Sequence, residues 1–120
     1  MQDHTQLLVW RKAKLLTVAV HEAAQPRRLA SAPGLRSQLL KAVMSIAATI
    51  AEGASRSGRH DFARFVTMAI GSTSETIHHL TVCGDLGLLE PSSVTVLVDQ
   101  AVEVRRMLFG LRRALLRAEA

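Results

Sequence analysis

The sequence predicts an all-α protein, an antiparallel up-down-up-down four-helix bundle. Three observations carry that prediction. The apolar residues are chiefly Leu, Val, Ala and Ile; three clusters of helix breakers cut the chain into four stretches; and each stretch repeats its apolar residues at helical period. Of 120 residues 48% are hydrophobic, but only four are aromatic: Trp10, Phe62, Phe65 and Phe109, with no Tyr. A chain of this length buries roughly two thirds of its unfolded surface, so a single domain over 1–120 is expected. Pro26, Pro33 and Gly34 bracket the first connection, Ser57-Gly58 the second, and Gly87 with Pro91 the third.

The first stretch, about 5–24, places Val9, Ala13, Leu16, Val20 and Ala24 within one narrow arc, with Arg11, Lys14, His21 and Glu22 opposite. The second, about 35–55, is apolar over more than half of its circumference. Leu35, Leu39, Ala42, Ile46, Ile50 and Gly53 form one side, and Leu40, Met44, Ala47 and Ala51 extend it into a second face. A bundle helix needs a narrower arc, so those last four residues are the expected contact with another subunit. The third, about 59–86, buries Phe62, Phe65, Val66, Ala69, Thr73, Ile77, Leu80 and Cys83, and Asp61 in its first turn complements the helix dipole. The fourth, about 91–118, opens on Pro91. It carries a heptad seam of Leu97, Ala101, Val104, Leu108, Leu111 and Leu115. Beside it runs a second seam, Val98, Val102, Arg105, Phe109, Arg112 and Leu116, which two arginines interrupt. Short connections make sequential helices antiparallel neighbours. The register around Ser57-Gly58 sets Lys41 level with Glu75 and Glu52 level with Arg64, so at least one of these pairs is expected to form a salt bridge.

The charge is basic: 15 Lys and Arg against 10 Asp and Glu, a formal +5, and 12 of the basic residues are Arg. Arginine suits bidentate contact with phosphate or carboxylate. Cys83 has no partner for an internal disulfide. The first residues lack the pattern of a secretory signal, and no uncharged run approaches the ~20 residues of a membrane span. These readings lead to the expectation of a cytoplasmic protein that does not enter membranes. Glu75-Thr76-Ile77-His78 has the spacing of a di-iron half-site, but a full site needs a second copy and two further carboxylates. The segment Gly53 to Gly58 lacks the Lys and Ser/Thr of a phosphate-binding loop and follows a helix where a strand is required. No base stands near the hydroxyl run Gly71-Ser72-Thr73-Ser74. The sequence therefore offers no catalytic residues, no metal site and no cofactor.

The segment from Gly34 to Leu80 carries a recognisable set: Gln38, Lys41-Ala42, Ser45-Ile46, Ile50-Ala51-Glu52-Gly53, Arg56, Phe62 with Phe65, Gly71-Ser72 and Glu75. It resembles the bacterial four-helix-bundle proteins first noticed inside intervening sequences of large-subunit ribosomal RNA genes. The spacing of Trp10, Ala13 and Leu16, then Pro26, then Asp85-Leu86-Gly87, is similar to the same family, so the resemblance spans about residues 7–90. Ala47 and Thr49 stand where the family usually has Pro and Asn, and Ile70 where an Arg commonly precedes the Gly-Ser. The resemblance implies a left-handed bundle, commonly assembled as a ring-shaped homopentamer, with no established enzymatic activity. Related bundle proteins are accessory factors of diversity-generating retroelements, where they contact nucleic acid and a reverse transcriptase. The polar family positions here are Gln38, Lys41, Glu52 and Glu75.

The expected function is that of a non-catalytic homo-oligomer, a scaffold or accessory factor with sequence-tolerant binding to RNA or DNA backbone. Its candidate contacts are Arg105, Arg106, Arg112, Arg113 and Arg117 on the last helix, with Arg56 and Arg59 at the second connection. The alternative is a protein-binding adaptor whose arginines pair with acidic residues of another protein. Arg105 and Arg112, two helical turns apart, are expected to keep their heads in solvent at a subunit boundary or central opening, with their stems on apolar neighbours.

Overall fold

A computed structural model describes residues 2–117. Its long elements are four α-helices: α1 (Leu8–Ala23), α2 (Pro33–Ala54), α3 (Arg59–Asp85) and α4 (Pro91–Arg117). Among the described residues there is no strand, and the body measures 49 × 20 × 19 Å, a bundle one long helix in length. Each helix packs on its neighbours in sequence and α4 closes back on α1, while the α-carbons of the diagonal pairs, α1 with α3 and α2 with α4, stay more than 8 Å apart.

The helix ends differ from the sequence expectation where side chains compete for backbone groups. α1 starts three residues late because Asp3 accepts hydrogen bonds from the Thr5 amide at 3.0 Å and the Thr5 hydroxyl at 2.7 Å, holding His4–Gln6 in a separate 3-10 turn. The same bonds pull the Asp3 carboxyl below its ordinary pKa. The Gln2 amide then donates to the Ala54 carbonyl at 2.8 Å, so this leading segment straps the C-terminal end of α2. α2 starts two residues early, since the fixed φ of Pro33 suits a first helical turn. α3 ends in a Schellman motif: Leu88 donates to the Cys83 carbonyl at 2.9 Å and Gly87 to the Gly84 carbonyl at 3.0 Å. Gly87 takes φ +71°, a conformation that a side chain would strain.

Cross-helix contacts show how neighbours run. Thr17 of α1 reaches the Val43 carbonyl of α2, while Arg36, a turn into α2, reaches the Ala24 carbonyl just past α1. Arg105 meets Ser74, and Arg112 meets Thr67. In both pairs of helices one number rises as the other falls, so the helices run antiparallel. α2 and α3 approach closely at Gly53, where an added Cβ would stand 2.6 Å from the Phe65 Cβ and 3.0 Å from Phe62. That places Gly53 opposite Phe62 and Phe65, the register expected around Ser57-Gly58.

The expected ion pairs of that register do not form. Glu52 bonds Arg56 at 3.6 Å, Arg64 bonds Asp61 at 2.8 Å, and Glu75 meets His79 at 3.2 Å. Each acid has found a base three or four residues away in the chain, and Arg56 adds a 3.8 Å contact to Asp61 across the turn. Such local pairs leave little for a longer reach between helices.

The core contains the predicted stripes of all four helices, with Leu16, Leu39, Ile46, Ile50, Val66, Leu80 and Leu108 sealed from solvent. Of the predicted positions, Leu35, Ile77 and Leu111 are half-buried instead. Leu29 and Leu89, from the first and third connections, are also buried. Thr73 and Thr76 lie inside it and satisfy their hydroxyls by donating to the carbonyls of Ala69 and Ser72. Burial among these apolar groups pushes the Cys83 thiol up.

Candidate functional site

Twelve arginines do not make one surface, and the structure sorts the candidates into three groups. Arg56 is neutralised: it lies between Glu52 and Asp61, and its guanidinium stacks over Phe65 at 4.6 Å. Arg106 is also paired, with Glu103 one turn earlier on α4. Both were sequence candidates for phosphate contact, and both already have a carboxylate.

Arg59, Arg113 and Arg117 form the second group. All three are exposed, and none has a carboxylate partner among the described residues. Arg59 opens α3, while Arg113 and Arg117 close α4, so the antiparallel fold brings them to one end of the bundle. A groove of about 290 Å³ at that end is lined by Arg56, Arg59 and Gly58, with Phe62 and Leu115 as its floor and Gln2 of the strap beside them.

Arg105 and Arg112 form the third group. Each is half-buried on the second seam of α4 and leans onto α3. The Arg105 Nη1 donates to the Ser74 Oγ at 3.1 Å, the Arg112 Nη1 to the Thr67 Oγ1 at 3.4 Å, and the Arg112 guanidinium lies over Phe109 at 4.9 Å. The stems pack on apolar neighbours as expected. The heads are held by hydroxyls, an arrangement that the sequence reading did not anticipate. Its signal was present, because Thr67 and Ser74 repeat the seven-residue spacing of Arg105 and Arg112.

The second face of α2 is narrower than expected. Leu40 and Ala47 pack against the core and Ala51 is half-buried, leaving only Met44 of the four exposed, at 54%. α2 sits between α1 and α3, so a wide apolar arc already serves two neighbours. Met44 and Leu40 nevertheless line an open groove of about 720 Å³ together with Pro26 and Ala30 of the first connection and Pro33 at the start of α2. Lys41 stands on its rim, and Gln38 and Lys41 are both exposed.

The remaining constellations stay small. Glu75 faces His79 rather than His78, and the two imidazoles sit edge to face at 5.2 Å. Among the described residues no three potential metal ligands gather, and no described helix is long and apolar enough to cross a membrane.

No curated protein matches the sequence. One solved structure, a protein of unknown function from the S23 ribosomal protein family of Bacteroides thetaiotaomicron, superposes with a TM-score of 0.79 at 18% identity. The match covers 88% of this chain and 99% of that one, and at this identity it speaks for the fold alone. Residues 5–110, most of the chain and all of α1 to α3, match one family model: the chain belongs to the 23S rRNA-intervening sequence protein family.

Proposed function

We propose that the protein is a non-catalytic, homo-oligomeric scaffold or accessory factor of the cytoplasm that holds RNA or DNA through the phosphate backbone, without reading sequence. The observation that carries this reading is the basic end formed by Arg59, Arg113 and Arg117, three exposed arginines with no ion pair to a carboxylate among the described residues. Exposed guanidinium groups without carboxylates attract phosphate at range and release counterions on contact. The aromatic side chains support backbone contact rather than base stacking. Phe62 and Phe65 are buried, and Phe109 and Trp10 are half-buried beneath Arg112 and Lys14. The family's name ties its members to 23S rRNA intervening sequences, which supports a nucleic-acid partner for this chain.

Two unrelated 20-base-pair duplexes, titrated by fluorescence anisotropy, are expected to bind equally. The double substitution Arg113→Glu and Arg117→Glu removes two phosphate contacts and replaces them with repulsion. It is expected to weaken binding at least ~10-fold per subunit and to flatten the salt dependence by about 1.8 in slope. Undiminished binding by this variant would contradict the reading.

Self-association rests on the Met44 groove, an apolar surface of the kind that marks contact sites, and five copies are what the family resemblance implies. Met44→Asp, at an exposed site, is expected to leave the helical circular-dichroism signal intact while shifting the sedimenting species toward monomer. A wild-type protein that sediments as a monomer at micromolar concentration contradicts the assembly.

A further inference from the structure

We propose that the outer seam between α3 and α4 docks one amphipathic helix of another protein, a helix whose apolar stripe carries two carboxylates seven residues apart. This goes beyond the nucleic-acid reading and uses different arginines. The seam is a second heptad on α4, beside the heptad that builds the core: Val98, Val102, Arg105, Phe109, Arg112 and Leu116. α3 covers it only at the edge. Val102 is left 39% exposed and Leu116 43%. The α3 wall is low, because Thr67, Gly71 and Ser74 are small and nothing lies within 4 Å of where a Gly71 Cβ would be.

Heptad spacing is the footprint of a helix. A phosphate backbone has no use for Val102 and Leu116 flanking its cations, whereas a partner helix buries them. The two guanidinium groups define the rest of that partner. Each has five N–H donors, and a single hydroxyl of α3 takes one of them. Neither has a carboxylate among the described residues. Further burial under a partner requires acceptors, and carboxylates answer guanidinium with paired bonds. Ser74 and Thr67 fix the arginine heads about 10.5 Å apart along α4, the rise of seven helical residues, which is the spacing of two acidic residues at the same heptad position. A second copy of this chain offers no such stripe, since no two of its 10 acidic residues stand seven apart.

The probe is a pair of fluorescein-labelled synthetic 28-residue helices with Leu at the apolar heptad positions. They are identical except for Glu or Gln at two stripe positions seven apart. The Glu helix is expected to bind the wild-type protein about tenfold tighter than the Gln helix, as fits two charge-assisted pairs partly screened by water. Arg105→Gln with Arg112→Gln is expected to erase the preference, and Val102→Asp to weaken both helices, with circular dichroism and sedimentation of every variant as in wild type. Equal binding of the two helices overturns the proposal. So does an Arg105→Gln/Arg112→Gln protein that keeps the preference, or one that loses affinity for duplex DNA in its place, which would make phosphate the ligand. A change of oligomeric state in Val102→Asp also overturns it, by assigning the seam to a second copy.

Discussion

Leu108→Ala is expected to lower the free energy of unfolding by about 2–5 kcal/mol, measured by urea denaturation at fixed protein concentration. Leu108 is fully buried on the core seam of α4, where α4 packs against both α3 and α1. The substitution keeps a strong helix former in place, so intrinsic propensity does not oppose the effect. What is lost is the transfer free energy of the removed carbons, together with the contacts around the cavity they leave. Its seam neighbours, Val104 and Leu115, are buried on the same helix, so their backbone cannot close in on the space independently. A change under ~1 kcal/mol would mean that this seam is not packed as described.

Gly53→Ala is the counterpart, a gain of one carbon where none fits. In an open helix the change would help by up to ~1 kcal/mol. Here the new Cβ would fall 2.6 Å from the Phe65 Cβ, an atom fixed to the α3 backbone, so no side-chain rotation relieves the overlap. α2 and α3 must separate, and the Phe62 ring must give way as well, at an expected net cost of about 1–3 kcal/mol. Gly71→Ala is the control: its Cβ meets nothing within 4 Å, so the same substitution is expected to be neutral or stabilising there. Equal effects at the two glycines would contradict the close approach of α2 to α3 at Gly53.

The four stretches were legible because Pro26, Pro33, Gly34, Gly58, Gly87 and Pro91 act on the backbone through local sterics, independent of tertiary context. The apolar stripes were legible for the same reason: periodicity alone tells which face turns inward. What escaped depends on distance in the chain. Nothing local marks Leu29 and Leu89, in the connections, as core residues. The start of α1 moved because Asp3 bonds Thr5, a two-residue competition hidden inside a polar stretch. The ion pairs anticipated from the α2–α3 register lost to partners one turn away, although the register itself reappears in the Gly53 contact. At the candidate site, the interruption of a heptad singled out Arg105 and Arg112 as unusual. Their hydroxyl partners required knowing which turn of α3 lies level with which turn of α4. Arg56 and Arg106, by contrast, each have a carboxylate three or four residues earlier, Glu52 and Glu103, a local spacing that Arg113 lacks and that the sequence already carried.

The most direct measurement is the affinity of the wild-type protein for a duplex between 50 and 200 mM salt. A backbone-binding basic end predicts a linear fall of log affinity with log salt, with a slope near −0.9 for each phosphate engaged, about −2.7 for the three exposed arginines of one subunit and steeper in an oligomer. An affinity that does not change with salt, or no measurable binding at 50 mM, would contradict the account.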